Sequence, residues 1–170
     1  IGSDMSYANL VGTDLSGADL SGCDLTGADP RGAAFEGAKL ANALLVGARL
    51  EGANLSGANL IGSDMSGSDM FGTKLESARM SGAKMIGSNL KNAILLDANL
   101  TGADLEGADL SGTIMKQAKL TGTSLINANL TGADLRETHL YGSDLSGADL
   151  SGAKLGAATI QNAHLNGAKL

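Results

Sequence analysis

Apolar residues recur at every fifth position of the chain, from Met5 to Leu170, without an insertion or a deletion. Leucine occupies 25 of these 34 positions, and the other nine are Met5, Pro30, Phe35, Met65, Met70, Met80, Met85, Met115 and Ile160. Two residues before each of them lies a small side chain, Ala in most repeats and otherwise Ser, Thr or Cys. A period of five fits neither an α-helix, at about 3.6 residues per turn, nor a strand, at about 2. The pattern therefore predicts a repeat fold in which the chain changes direction once in every five residues.

Each repeat can be written as five slots, as in Thr101-Gly102-Ala103-Asp104-Leu105. Slots three and five carry the small and the large apolar groups, which are two residues apart, as on one face of a strand. Slots one, two and four are mostly polar residues or Gly, and 24 of the 25 glycines occupy slot two. One Gly per repeat is what a turn with positive φ requires. We therefore expect slots three and five to point inward and slot two to lie at a corner.

Segments such as SGADLSGCDL at 16–25, EGANLSGANL at 51–60 and SGADLSGAKL at 146–155 resemble the A(D/N)LxG motif of the pentapeptide-repeat family. The resemblance extends over the whole chain. It implies an all-β fold, a right-handed quadrilateral β-helix with four pentads per coil. The 34 pentads of residues 1–170 would then form one solenoid domain of about 8.5 coils, roughly 40 Å long at ~4.8 Å per coil.

The spacing of charged residues is consistent with coils of twenty residues. Residues of like charge recur forty positions apart in three sets: Asp24, Asp64, Asp104 and Asp144; Asp29, Asp69, Asp109 and Asp149; and Lys39, Arg79 and Lys119. With twenty residues per coil, the members of each set lie in one column, on every second coil. Skipping a coil separates the like charges by about a Debye length rather than ~4.8 Å. Asp4 stacked on Asp24 is the exception.

Pro30 is the one residue that does not suit the Leu column, because proline cannot donate to a ladder of backbone hydrogen bonds. We expect a local distortion there, with Phe35 filling space in the next pentad. The six methionines all lie in the same column and are interpreted as adaptable core residues.

Composition limits the other possibilities. With only 2% aromatic residues and no Trp, an ordinary globular core is not expected. The single Cys23 cannot form an intramolecular disulfide and is expected to be a buried thiol. No apolar run approaches the ~18 residues of a membrane-spanning helix. The chain opens and closes within the repeat, so we interpret it as a segment of a longer polypeptide, in which flanking domains or end-to-end stacking of a second copy cover the terminal coils.

No reactive constellation is evident. His139 and His164 fall on different faces with no evident carboxylate partner, and no Cys or His cluster has zinc-ligand spacing. Glycine recurs in every pentad, so GxxxxG matches carry no information, and no GK[ST] follows. The sequence therefore predicts neither an enzyme nor a cofactor or metal site, and the absence of basic patches interleaved with aromatics disfavours direct nucleic-acid binding.

Pentads assigned to four faces in rotation, with Ile1–Met5 on face one, carry net charges of −4, −3, +1 and 0 on faces one to four, within a total of −6. The acidic charge lies on two adjacent faces. It is either a surface for a basic partner or simply the acidic residue that the repeat favours in slot four.

Apolar residues in outward slots suggest a contact surface. The first candidate surface combines apolar residues in slot one of face two with the acidic column of that face: Val46, Ile86, Ile126, Asp29, Asp69, Asp109 and Asp149. The second lies on face three: Phe71, Ile94 and Ile114.

Three functions remain open. The first is a non-enzymatic scaffold that presents flat solenoid faces to a protein partner. The second follows from the resemblance, since some family members mimic duplex DNA and bind type II topoisomerases such as gyrase. The net charge of −6 over roughly 40 Å is sparse beside one charge per ~1.7 Å in DNA, which disfavours it. The third is a structural module of a larger protein. The family is mostly bacterial, so a cytoplasmic location is expected, with a thylakoid lumen as the alternative.

Overall fold

The structure is a computed structural model that describes all residues from Ile1 to Leu170. It contains no helix and no strand longer than a single bridging residue. Each pentad after the first has a turn at slots one and two, and every pentad has a bridging residue at slot four, in an unbroken series from Asp4 to Lys169. Every bridge is parallel and joins residues twenty positions apart, as Ile94 joins Ile114. Four pentads therefore complete one coil of a β-solenoid.

Backbone hydrogen bonds explain why the repeat has five residues. The N–H of slot three donates to the carbonyl three residues earlier and closes a turn, as Ala8 does to Met5 at 3.1 Å. The N–H groups of slots two and five donate to the next coil, as Leu10 does to Asp29 at 2.9 Å. The N–H of slot four donates to the preceding coil. A pentad thus uses one donor for its own corner and three for its neighbours.

The corner residue in slot two has positive φ in every pentad, including the one that begins with Gly156, where the corner residue is Ala157. All 24 slot-two glycines have φ between 61° and 71°. The ten pentads without Gly in slot two keep the same corner, because their slot-two residues have φ between 54° and 64°. The predicted role of slot two is therefore confirmed, including where the residue is not glycine.

The interior is a continuous column of the residues in slots three and five. From Cys23 to Leu150 these side chains are buried, and the apolar ones belong to one hydrophobic cluster of 44 residues. Burial of each Leu or Met is worth about 1.5–3 kcal/mol. Buried hydroxyls in slot three are satisfied by backbone carbonyls, as Ser63 is by Leu60 at 2.8 Å. In the end coils the same slots are more open, and Ile160 is 49% exposed.

Pro30 disturbs the solenoid less than the sequence suggests. Pro30 is buried in the Leu column and Phe35 is fully buried in the next pentad. The bridge between Asp29 and Arg49 is missing from the series, because Pro30 cannot donate to the Arg49 carbonyl. The Arg49 N–H still donates to Ala28 at 2.9 Å, and the next coil follows without a shift. The expected distortion was wrong in extent, since it amounts to a single lost hydrogen bond.

Candidate binding surface

The acidic column of the first candidate surface is held in place by the coils around it. Each of its four aspartates accepts a backbone N–H from the residue two positions later, which caps the corner. Each also lies against a donor twenty residues later: Asp29 with Arg49 at 3.3 Å, Asp69 with Asn89 at 2.8 Å, Asp109 with Asn129 at 3.1 Å and Asp149 with Lys169 at 3.3 Å. The column is therefore a set of fixed carboxylates rather than mobile surface side chains.

Two of these carboxyl groups have pKa values below the ordinary range. Hydrogen bonds from the Arg31 side chain lower the pKa of Asp29. The side-chain and backbone hydrogen bonds of Ser151 lower the pKa of Asp149. Both groups therefore remain anionic well into the acid range.

The apolar residues of the same surface lie on alternate coils. Val46 is 38% exposed, Ile86 is 42% exposed and Ile126 is half-buried. Ser66 and Glu106 occupy the same slot on the coils between them. The first candidate surface did not include Leu44, which is 43% exposed on the corner beside Val46. Its slot-four position predicts an outward side chain, so the signal was present in the sequence.

The second candidate surface is divided between two corners of face three. Half-buried Ile94 and exposed Ile114 are bridged neighbours, and exposed Leu96 lies on the same corner as Ile94. Phe71, 45% exposed, occupies slot one at the other end of the face. The structure thus brings Ile94 and Ile114 together and leaves Phe71 apart.

Neither histidine lies in a cluster that could hold a metal ion. His164 Nδ1 lies 3.8 Å from the carboxylate of Asp144, so the expectation that neither histidine has an acidic partner was wrong for His164. Both side chains are exposed at the surface of the last coils. Cys23 is buried, as expected.

A groove on face four was not anticipated. It has a volume of about 460 Å³ and is lined by Asp97, Gln117, Lys119, Glu137, His139 and Ala157. It is the only pocket of the molecule. Its signal in the sequence is the absence of Gly from slot two of face four in five successive coils, a run that is not visible when glycines are counted along the chain.

The family description "pentapeptide repeats" matches the chain in eight copies, over residues 1–29, 33–72, 78–117 and 113–152. The chain belongs to the pentapeptide-repeat family. No curated protein matches it.

Several solved structures of pentapeptide-repeat proteins are similar to this chain. HetL, involved in heterocyst differentiation regulation in the cyanobacterium Nostoc sp. strain PCC 7120, is 30% identical, with 98% of this chain and 89% of HetL covered and a TM-score of 0.39. QnrB1, a plasmid-mediated fluoroquinolone resistance protein, is 22% identical in a trypsin-treated form; the match covers 99% of this chain and 89% of QnrB1, with a TM-score of 0.53. A pentapeptide-repeat protein from the thylakoid lumen of Arabidopsis thaliana is 28% identical; the match covers 72% of this chain and 68% of the Arabidopsis protein, with a TM-score of 0.38.

The pentapeptide-repeat neighbours support a right-handed β-helix for this solenoid. At 22% identity, the likeness to QnrB1 concerns the fold alone. The structure offers no helix with the length and apolarity that crossing a membrane requires.

Proposed function

We propose that the protein is a non-enzymatic scaffold that binds a protein partner through face two. The observation that carries the proposal is the combination of exposed Val46 and Ile86 with carboxylates fixed by donors from the next coil. Apolar groups beside rigid charges lose little side-chain entropy when a partner covers them. Because faces one and two carry net charges of −4 and −3, the partner that suits this surface is basic.

Replacing Val46, Ile86 and Ile126 together with Ser tests the proposal. The variant is expected to keep the fold, because all three side chains lie in outward slots. Proteins captured from cells of the source organism by the wild-type chain should be lost with the triple variant. Phe71→Ser on face three is the matched control, since it removes an exposed apolar side chain from another face. The same captured proteins with the triple variant as with the wild type would contradict the use of face two.

The DNA-mimic alternative is weaker on charge. The acidic column of face one is interrupted by Leu44, Lys84 and Ser124, and that of face two by Arg49, Asn89 and Asn129. Duplex DNA has one charge per ~1.7 Å without interruption. A gyrase supercoiling assay decides the matter, since no inhibition or protection in excess protein would exclude the alternative.

The end coils expose Ile1, Val11, Ile160 and Leu170, so we propose that further chain or a second copy covers them in the cell. The whole segment 1–170 would then act as one structural module of a larger protein. Cytoplasm stays the proposed compartment, with the thylakoid lumen as the alternative.

A further inference from the structure

Face four changes character half-way along the solenoid. Its slot-two residues are Gly17, Gly37 and Gly57 in the first three coils. In the next five coils they are Ser77, Asp97, Gln117, Glu137 and Ala157, all with φ between 54° and 64°. A left-handed conformation costs a residue with a Cβ about 1–2 kcal/mol. Elsewhere the non-glycine corners are isolated, and four of those five are Asn, which tolerates this conformation best: Tyr7, Asn42, Asn92, Asn127 and Asn162.

The side chains at these corners build the groove. On a glycine corner no side chain projects from slot two, so the slot-four side chains face no second wall. From Asp97 to Ala157 the slot-two side chains add a second wall, which faces the slot-four wall of Lys119 and His139. One wall carries Asp97 and Glu137 and the other carries the basic groups, so the groove has an acidic and a basic side.

The groove contains charges that the chain does not neutralise. Glu137 is paired with Lys116 at 3.1 Å and accepts a hydrogen bond from Gln117 at 2.9 Å. Asp97 and Lys119 form no ion pair within the chain. They lie on opposite walls, one coil apart, which is about 4.8 Å along the axis. An occupant that neutralises both side chains must place a cation against Asp97 and an anion against Lys119.

A second copy of this chain offers that arrangement. We propose that face four, from Ser77 to Thr159, is the interface of a side-by-side homodimer whose two-fold axis runs parallel to the solenoid axis. This rotation sets the slot-two wall of each copy against the slot-four wall of the other. Asp97 then lies level with the Asn99 of its partner and one coil, about 4.8 Å along the axis, from the Lys119 of its partner, a contact that is made twice, once in each direction. Glu137 lies level with the His139 of its partner.

The charges select both the orientation and the face. An antiparallel pair would place the acidic wall of one copy against the acidic wall of the other, which costs energy. Faces one and two carry net charges of −4 and −3 and would repel their own copies, whereas face four has a net charge of zero. Leu96, at the edge of the acidic wall, adds exposed apolar surface to the contact. Two-fold pairs are also the commonest symmetric assembly.

The contact is small. Five coils by one face measure about 24 Å by 10 Å. The resulting contact area, about 240 Å² per partner, is well below the ~800 Å² per partner of a standard interface. Association should therefore be weak, concentration-dependent and sensitive to salt. Because face two lies opposite face four, the dimer would present its two face-two surfaces outward in opposite directions. The scaffold would then be bivalent, a consequence that rests on the proposed function, although the dimer itself does not.

Charge reversal tests the pairing. Asp97→Lys and Lys119→Asp should each weaken dimerisation about tenfold or more in sedimentation velocity, and the double variant should restore it to within about threefold of wild type. The matched control is the exchange of Asp19 and Lys39, which are paired within the chain on the flat half of the face, 3.8 Å apart. That exchange should leave dimerisation unchanged. A monomer at all concentrations, or a dimer indifferent to both reversals, would overturn the proposal.

Disulfide trapping tests the orientation. Ala157→Cys and Thr159→Cys are uncharged positions on the two walls of one coil. A mixture of the two variants should cross-link under mild oxidation, and neither variant should do so alone, because the two-fold sets slot two against slot four. Buried Cys23 does not compete. A dimer mass in solution without this cross-link would indicate end-to-end dimers and would overturn the side-by-side arrangement. The result of the capture experiment on face two does not depend on this outcome.

Discussion

The two halves of face four have the same interior and different corners. Beneath Gly37 and Gly57 lie Ala38, Leu40, Ala58 and Leu60, all fully buried, and beneath Asp97 and Gln117 lie Ala98, Leu100, Ala118 and Leu120, equally buried. The corner backbone is also shared, since Gly57 and Gln117 have φ of 67° and 64°. The difference teaches that the interior fixes the coil, and that the corner is free to carry surface chemistry at a conformational cost.

The largest effect should come from the interior, and it should be equal in the two halves. Leu60→Ala and Leu100→Ala each remove a fully buried side chain, so each is expected to lower the free energy of unfolding by about 2–5 kcal/mol. Guanidinium unfolding followed by circular dichroism measures both. Thr101→Ala, on an exposed slot, is the control. A difference of more than about 1 kcal/mol between the two Leu variants would show that the corner affects the packing beneath it.

The interior was accessible to sequence analysis because one period governs it. The five-residue spacing predicted which side chains are buried, and the forty-residue spacing of Asp64 and Asp104 agrees with bridges that set Lys84 between them. The tolerance of Pro30 was not predictable in the same way. A lost ladder bond distorts a coil only if the bonds around it also fail, and the Gly32 N–H still donates to Glu51 at 3.0 Å.

The groove escaped sequence analysis for a different physical reason. Each non-glycine corner looks like an isolated departure from the repeat when the chain is followed in order. Only stacking at twenty-residue intervals reveals that Ser77, Asp97 and Gln117 are neighbours in space. Whether slot-two side chains wall off a groove depends on their direction, which the solenoid sets and the repeat pattern does not state.

Exchanging the corners should have the next largest effect. Gly57→Gln places a Cβ in a left-handed corner with open space around it, so the expected loss is conformational and about 1 kcal/mol. Gln117→Gly relieves that strain but removes the hydrogen bond to Glu137, so a gain of about 0.5 kcal/mol is expected. Thermal or guanidinium unfolding measures the change in the free energy of unfolding for each of the two variants.

The same exchange separates folding from association. Gln117→Gly should stabilise the monomer while weakening the proposed dimer, because it opens one wall of the groove. Gly87→Gln, which adds a side chain to a corner of face two, is the control for strain without a groove. If Gln117→Gly instead destabilised the chain as much as Gly57→Gln does, the slot-two side chains would be part of what holds the coils together.

Acid should distinguish the two halves by the smallest margin. At the corner that leads into face four, the carboxylate of Asp14 accepts hydrogen bonds from Ser16 in the first coil, while that of Asp134 accepts two from the Arg136 guanidinium, at 2.7 and 2.5 Å. These bonds lower the pKa of both carboxyl groups, and that of Asp134 falls to about 2. A lowered pKa in the folded state contributes stability above the unfolded value of about 3.9, and that contribution is lost as the pH falls through the folded value.

The free energy of unfolding of the wild type should therefore decline between about pH 4 and pH 2, and Asp134→Asn should remove part of that decline. Because Arg136 is half exposed, the difference should stay below about 1 kcal/mol. Urea unfolding across this range measures it, with Asp14→Asn as the matched variant in which no guanidinium is involved. Equal pH dependence of the two variants would mean that the Asp134–Arg136 ion pair adds no stability beyond the hydrogen bond that caps the corner. The second half of face four would then differ from the first half only in its slot-two side chains, and not in the stability of the corner beside them.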